Sequence, residues 1–187
     1  NSYRNNYLLI LFALFIVLVF VLSLVLPPRI HDSLAYQMPR VFFWFQNNNL
    51  DFYATNDIRQ IYSGPFPGVA ILNLFTLNNS DIFSNLIQTF AFVFTIITVS
   101  LIAKEFGANS QGQIISSVLS IPFPHAILEA TSSKDNYILC FWTVTCVYYL
   151  ILQRKYFNVT YCFCSAICLA IGALSKLIIL IYLIPFY

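Results

Sequence analysis

Charge is what this sequence lacks. Only 9% of its 187 residues are Asp, Glu, Lys or Arg, where soluble domains carry about 25%. Hydrophobic residues make up 59%, and the mean hydropathy is +0.78. That deficit argues against a water-soluble domain and for a chain that lives in a bilayer. A basic run is also missing. The net charge of +2 is too small and too scattered to argue for a nucleic-acid partner. No internal repeat and no low-complexity segment stands out. Paired metal-ligand spacing is absent too. The five cysteines (Cys140, Cys146, Cys162, Cys164 and Cys168) all sit in apolar runs, with no His or second pair beside the Cys162-Phe-Cys164 triplet. They read as small buried hydrophobes rather than as ligands or a disulfide framework. The first residue is Asn1, and Tyr187 lies inside an apolar run. Both ends therefore read as cut, as in a fragment or a truncated reading frame.

What is present is a series of apolar runs. A membrane span takes about 20 apolar residues. Residues 7–26 meet that length without a charge, and Pro27-Pro28-Arg29 is a poor signal-peptide cleavage site. Further spans are expected over residues 83–103, 113–130, 136–152 and 157–174, with an incomplete sixth over 177–187. Pro122 and Pro124 interrupt the third and predict a kinked helix packed among neighbours.

Residues 27–82 form one long polar segment. Within Ser33–Phe45, Leu34, Met38, Val41, Phe42 and Phe45 fall on one helical stripe, with Gln37, Arg40 and Gln46 elsewhere. That pattern, with Trp44, predicts an amphipathic helix lying at the membrane interface. Phe66–Leu77 is apolar but too short to cross, which suits a re-entrant or interfacial helix. Asn78-Asn79-Ser80 is a formal glycosylation sequon.

With the amino terminus inside, Arg4, Lys104, Arg154 and Lys155 fall in short inner segments. Arg29, Arg40, Arg59, Lys134 and Lys176 then fall outside, three of them spread over the 56-residue loop 27–82. The raw count is indecisive, but the positive-inside rule applies to short loops and selects this orientation.

This topology collects polar groups on one face. Asp32 opens the first outer loop, Glu129, Lys134 and Asp135 lie between spans three and four, and Lys176 lies between spans five and six. Ionisable groups so close to the membrane core are costly and often functional. A carboxylate there can take the proton of a hydroxyl as it attacks an electrophilic carbon. Arg and Lys can bind a leaving phosphate and stabilise its developing charge. Simpler roles compete. Asp135 is placed to cap the helix that follows it, Lys176 to snorkel, and Arg29 and Arg40 to meet lipid headgroups. His125 reads as a polar contact within the bundle.

Four short motifs, in order, resemble those of the polytopic GT-C glycosyltransferases, in particular the dolichyl-phosphate-mannose–protein mannosyltransferase-like group (glycosyltransferase family 39 and its bacterial relatives). They are Asp32, Tyr36, Pro39-Arg40 and Trp44 after the first span; Pro65, Pro67 and Gly68 opening a short apolar helix; Ser133-Lys134-Asp135; and Gly172 with Leu174-Ser175-Lys176. Ser33 stands where many members have Glu, and Gln37 where many bacterial members have His.

The resemblance implies an all-α transmembrane bundle, commonly of eleven or more spans, with juxtamembrane helices in its large first outer loop. It implies transfer of a sugar, with inversion, from a polyprenyl-phosphate donor to a hydroxyl of a protein, lipid or glycan acceptor. Asp32 would be the catalytic base or would orient the acceptor, Arg40 and Lys176 would bind the donor phosphate, and Asp135 would be a second site carboxylate. No ligand spacing among the outer carboxylates demands a metal, and a divalent cation stays open. The expected location is a multi-pass protein of the plasma or inner membrane or the endoplasmic reticulum, with its site on the extracytoplasmic side. The alternative is a non-catalytic polytopic protein, a transporter or assembly subunit.

Overall fold

A computed structural model describes residues 2–121 and 124–186, with the backbone alone for residues 2–6 and 8. The expectations for the Arg4 side chain and for Pro122 lie outside the described residues. Every element is helical, and no strand occurs among the described residues.

The first helix, α1 (Ser2–Val25), stops just before Pro27 and Pro28. Proline disfavours helix in the residue before it and cannot donate to the ladder. A π-helical turn over Ser33–Gln37 runs directly into α2 (Met38–Asn47). A loop leads to the short α3 (Arg59–Tyr62) and then to α4 (Pro65–Asn78), which begins on a proline. Proline suits that first position, where its missing N–H costs nothing. Then come α5 (Leu86–Glu105), α6 (Ser110–Leu119), α7 (His125–Ala130), α8 (Asn136–Tyr156), α9 (Val159–Ser175) and α10 (Ile179–Leu183). Asn109 and Asn158 cap α6 and α9 by accepting from Gly112 N and Thr160 N, both at 2.9 Å.

Among the described residues, two helices, α5 and α8, are long and apolar enough to cross a membrane. At 1.5 Å per residue, α5 is about 30 Å long, the thickness of a hydrocarbon core. Leu9–Val25 is an apolar stretch of α1, and α9 (Val159–Ser175) is a shorter apolar helix. The third expected span is two helices rather than one, ending at Leu119 and restarting at His125. Pro124 lies at that restart, where a helix interior would have required its N–H.

Helix α8 packs along both α5 and α9, and α5 also carries α1 and α6. One core joins Val19, Phe92, Ile96, Ala126 and Ala130, and a second joins Leu139, Cys146, Cys168, Ile179 and Leu183. A third, of Met38, Val41, Ile71 and Phe75, holds α2 on α4. Buried polar groups at the start of α5 and just before it then fasten the loops at one end of the bundle. Asn85 donates to Leu26 O at 2.7 Å, Thr89 donates to Ala130 O at 2.8 Å, and Gln88 Oε1 accepts from Ile138 N at 3.0 Å. Each satisfies a backbone group left over at the end of α1, α7 or α8.

The amphipathic stripe of the first loop holds at Met38, Val41 and Phe45 but not at Leu34. Leu34 is 55% exposed, whereas Gln37 and Arg40 are almost fully buried beside Met38 and Val41. The π-helical turn shifts Leu34 and Gln37, upstream of Met38, relative to an ideal helix, whereas Arg40, downstream of it, is covered by the turn that carries Ser63 and Gly64. The buried face also tolerates Gln37 and Arg40 because both find hydrogen-bond partners.

Candidate functional site

The loops fastened by α5 enclose a cleft of about 690 Å³. Asp32 reaches it from the turn after α1, Arg59 and Gly64 from the α3–α4 segment, Asp135 from the start of α8, and Lys176 from the end of α9. Three residues singled out in the sequence, Asp32, Asp135 and Lys176, thus line one cavity. Gly64 lets the α3–α4 turn press onto α9, because a Cβ there would collide with the carbonyl oxygens of Leu174 and Ser175.

The charged side chains form a continuous network. Asp32 Oδ2 lies 3.3 Å from Lys134 Nζ, and Asp32 Oδ1 lies 3.6 Å from Arg59 Nη1 and from His31 Nδ1. Lys134 reaches Glu129 Oε1 at 3.1 Å. Asn136 donates to Glu129 Oε2 and accepts from Lys176 Nζ, both at 2.8 Å. Lys176 Nζ also lies 2.7 Å from Asp135 Oδ1, as an ion pair without hydrogen-bond alignment. Gln37 Nε2 donates to Asp135 Oδ2 at 3.4 Å and its Oε1 accepts from Arg40 at 3.0 Å.

Partial burial favours the protonated form of Asp32, but Lys134, with His31 and Arg59, outweighs it and holds the carboxyl below its ordinary value. Burial lowers the Lys134 ammonium, yet Glu129 and Asp32 more than compensate and raise it. The phenol of Tyr36, buried beside Asp135 and Asp32, is pushed well up and stays neutral. Asp32 is therefore an ionised acceptor with cations on either side.

Asp135 stands at the start of α8 but makes no side-chain cap; it is 1% exposed and turned to Gln37 and Lys176. Lys176 meets Asp135 and Asn136 rather than reaching away along the helix. His125 is largely exposed, with Nε2 3.5 Å from Glu129 Oε1, instead of buried between helices.

Arg40 is not on this cleft. Its guanidinium lies behind it, 2% exposed, donating to Ser63 O and Oγ, Gly64 O and Gln37, and packing over Trp44 at 5.0 Å. The cations beside Asp32 are instead Lys134 and Arg59. Lys134 adjoins a residue already singled out. Nothing local marked Arg59, whose neighbour Asp57 explains it only as a short-range ion pair. Among the described residues no three His, Cys, Asp or Glu side chains are grouped so as to hold a metal ion. A second cavity, about 600 Å³, opens between the far ends of α8 and α9; its lining carries Arg154 but no carboxylate, so it lacks an acid–base pair.

No protein family, curated protein or solved structure matches this chain.

Proposed function

We propose that the protein is a polytopic membrane glycosyltransferase that moves a sugar from a polyprenyl-phosphate donor to a hydroxyl acceptor on the extracytoplasmic face, with inversion. The observation that carries this reading is the convergence of Asp32, Asp135 and Lys176, from three separate loops, on one cleft. The surroundings suit a membrane. Leu14, Val17 and Val21 of α1 and Phe94 and Ile97 of α5 are about half exposed, an apolar surface that water would disfavour and lipid would cover. The ion pair of Lys155 with Glu105 closes the end of the bundle away from the cleft, so charge gathers at the two ends of the long helices.

In this mechanism the acceptor hydroxyl oxygen attacks the anomeric carbon as its proton passes to the Asp32 carboxylate. The bond from that carbon to the phosphate oxygen breaks on the opposite side, and its electron pair leaves on the phosphate. Lys176 faces the charge that develops there. The lowered proton affinity of Asp32 keeps it ionised to receive the proton. Asp135 holds Lys176 in place.

The test is sugar transfer by the membrane-embedded protein from a panel of polyprenyl-phosphate sugars. Asp32→Asn should reduce transfer by about 100-fold or more, with expression and insertion intact. Near-normal transfer by that variant would sink the role of Asp32. Absence of transfer from every donor by the unaltered protein would sink the transferase reading.

A further inference from the structure

Arg59 and Lys176 are the two cations on the wall of the cleft. Asp57 grips one edge of the Arg59 guanidinium, with Nε at 3.0 and 3.2 Å and Nη2 at 2.7 Å from its carboxylate oxygens. The ring of Tyr36 supports the guanidinium at 5.4 Å. The remaining nitrogen, Nη1, is turned toward Asp32 at 3.6 Å, beyond hydrogen-bond length. Arg59 is thus held still by two neighbours while one nitrogen keeps its donors for something else. Lys176 is similar: Asn136 accepts from its ammonium at 2.8 Å, Asp135 pairs with its charge at 2.7 Å without hydrogen-bond alignment, and the side chain is 32% exposed.

The rest of the cleft is of another character. Tyr62, Leu174, Leu177 and Ile178 line it and remain between 40% and 71% exposed. A small free anion has no use for such a wall. A phosphate carrying a long hydrocarbon chain would use both halves, with the charge at Arg59 and Lys176 and the chain along these apolar residues.

We infer that Arg59, together with Lys176, binds the phosphate of a lipid-linked phosphate, and that the guanidinium serving this site is Arg59 rather than Arg40. The part this plays in catalysis rests on the transferase reading. Cleaving the sugar turns a phosphodiester, with one negative charge, into a phosphomonoester, which carries about 1.5 to 2 at neutral pH. Two cations facing one phosphate match the charge that the phosphomonoester then carries. No added co-reactant is needed, since the acceptor supplies the proton and Asp32 receives it. Arg40 cannot share the task in this arrangement, because both its terminal nitrogens are occupied by Gln37, Ser63 and Gly64.

The experiment measures binding of a fluorescent, sugar-free polyprenyl monophosphate to the purified protein in lipid nanodiscs, with thermal midpoints recorded alongside. Arg59→Gln should raise Kd about tenfold at an unchanged midpoint. Polyprenol without phosphate should compete poorly, and inorganic phosphate should displace the probe only at far higher concentration. Unchanged Kd in a folded Arg59→Gln protein would overturn the inference. Should that variant not fold, Arg59→Lys decides, since it keeps the charge opposite Asp57 but loses the planar fork. A threefold or larger rise in its Kd supports the inference, and an unchanged value overturns it. Displacement by inorganic phosphate as effective as by the lipid would overturn the lipid half. If the unaltered protein binds the lipid phosphate with this dependence on Arg59 but transfers no sugar, the transferase reading fails and the binding site stands.

Discussion

Replacing Arg40 separates two roles that its position in the chain leaves open. As a donor ligand, its loss would weaken phosphate binding and spare the fold. The structure makes it a pin. Nη1 donates to Ser63 O at 2.8 Å and to Ser63 Oγ at 3.0 Å, and Nη2 to Gln37 Oε1 and Gly64 O, both at 3.0 Å. These bonds tie α2 to the turn that carries Ser63, Gly64 and Pro65 into the cleft wall. Hydrogen bonds to a charged group contribute about 1.5–3 kcal/mol each, but they are not additive. Removing one partner from a buried charged arrangement costs about 3–5 kcal/mol. Relief of a desolvated guanidinium whose Nε has no partner offsets part of this, which leaves about 3 kcal/mol for Arg40→Ala. By the scaling for chains of this size, the thermal midpoint should fall by about 6–12 °C. Arg40→Lys should recover little, since a point charge cannot span the two sides of the fork. The assay is the loss of monodisperse protein on heating, followed by size-exclusion chromatography. Binding of polyprenyl monophosphate is measured in parallel, well below the transition. Per folded molecule, Kd should stay within about threefold of the unaltered protein. An unchanged midpoint with binding weakened tenfold would refute this reasoning and restore Arg40 as the phosphate ligand.

Other perturbations have defined outcomes. Lys176→Ala should weaken donor binding about tenfold; an unchanged apparent donor affinity would remove it from the site. Gly64→Ala should lower the thermal midpoint, because its methyl must push the turn off the Leu174 and Ser175 carbonyls; a midpoint equal to that of the unaltered protein would show that α4 and α9 can part freely. Since the Asp32 carboxyl lies below its ordinary 3.8, its pairing is fully present above that pH and is lost as the pH falls through the lowered value. The rate of sugar transfer should therefore show no acid limb from Asp32 above about pH 4. Lys134→Met removes the strongest opposing influence and leaves burial, so the acid limb should move to higher pH in a rate profile; an unmoved limb would show that Lys134 does not set the charge on Asp32.

Much of the helical layout is legible in the chain because long apolar runs have few alternatives. The runs at 83–103, 136–152 and 157–174 are helices within a few residues of the expected bounds, and 66–77 lies inside α4. Proline placement also carries over: Pro27 ends α1 and Pro65 begins α4. The failures come where one geometry was assumed throughout. A uniform helical period over Ser33–Phe45 sets Leu34 inward and Arg40 outward; the π-helical turn reverses the first, and the oxygens of Ser63 and Gly64 that cover Arg40 reverse the second. The run at 113–130 is apolar enough for one span, yet helix stops at Leu119 and starts again at His125.

The candidate site divides in the same way. Asp32, Asp135 and Lys176 are legible because each stands where an apolar run meets a polar segment, where burial is costly and a partner is required. Their partners are not. Gln37 joins its near neighbour Arg40 to the distant Asp135, Lys134 joins Glu129 to the distant Asp32, and Asn136 joins Glu129 to the distant Lys176; the second contact of each depends on a distance of about 3 Å across segments far apart in sequence. The sequence by itself determined the helical, charge-poor character of the chain and which ionisable groups stand at helix ends, because hydropathy and proline act locally. Only the tertiary structure decided that Arg40 turns inward to hold the fold while Arg59 faces the cleft. Both are arginines of the same polar loop. What separates them is whether the neighbouring oxygens supplied by the fold, those of Ser63, Gly64 and Gln37 for one and of Asp57 for the other, leave a terminal nitrogen free to face the cleft.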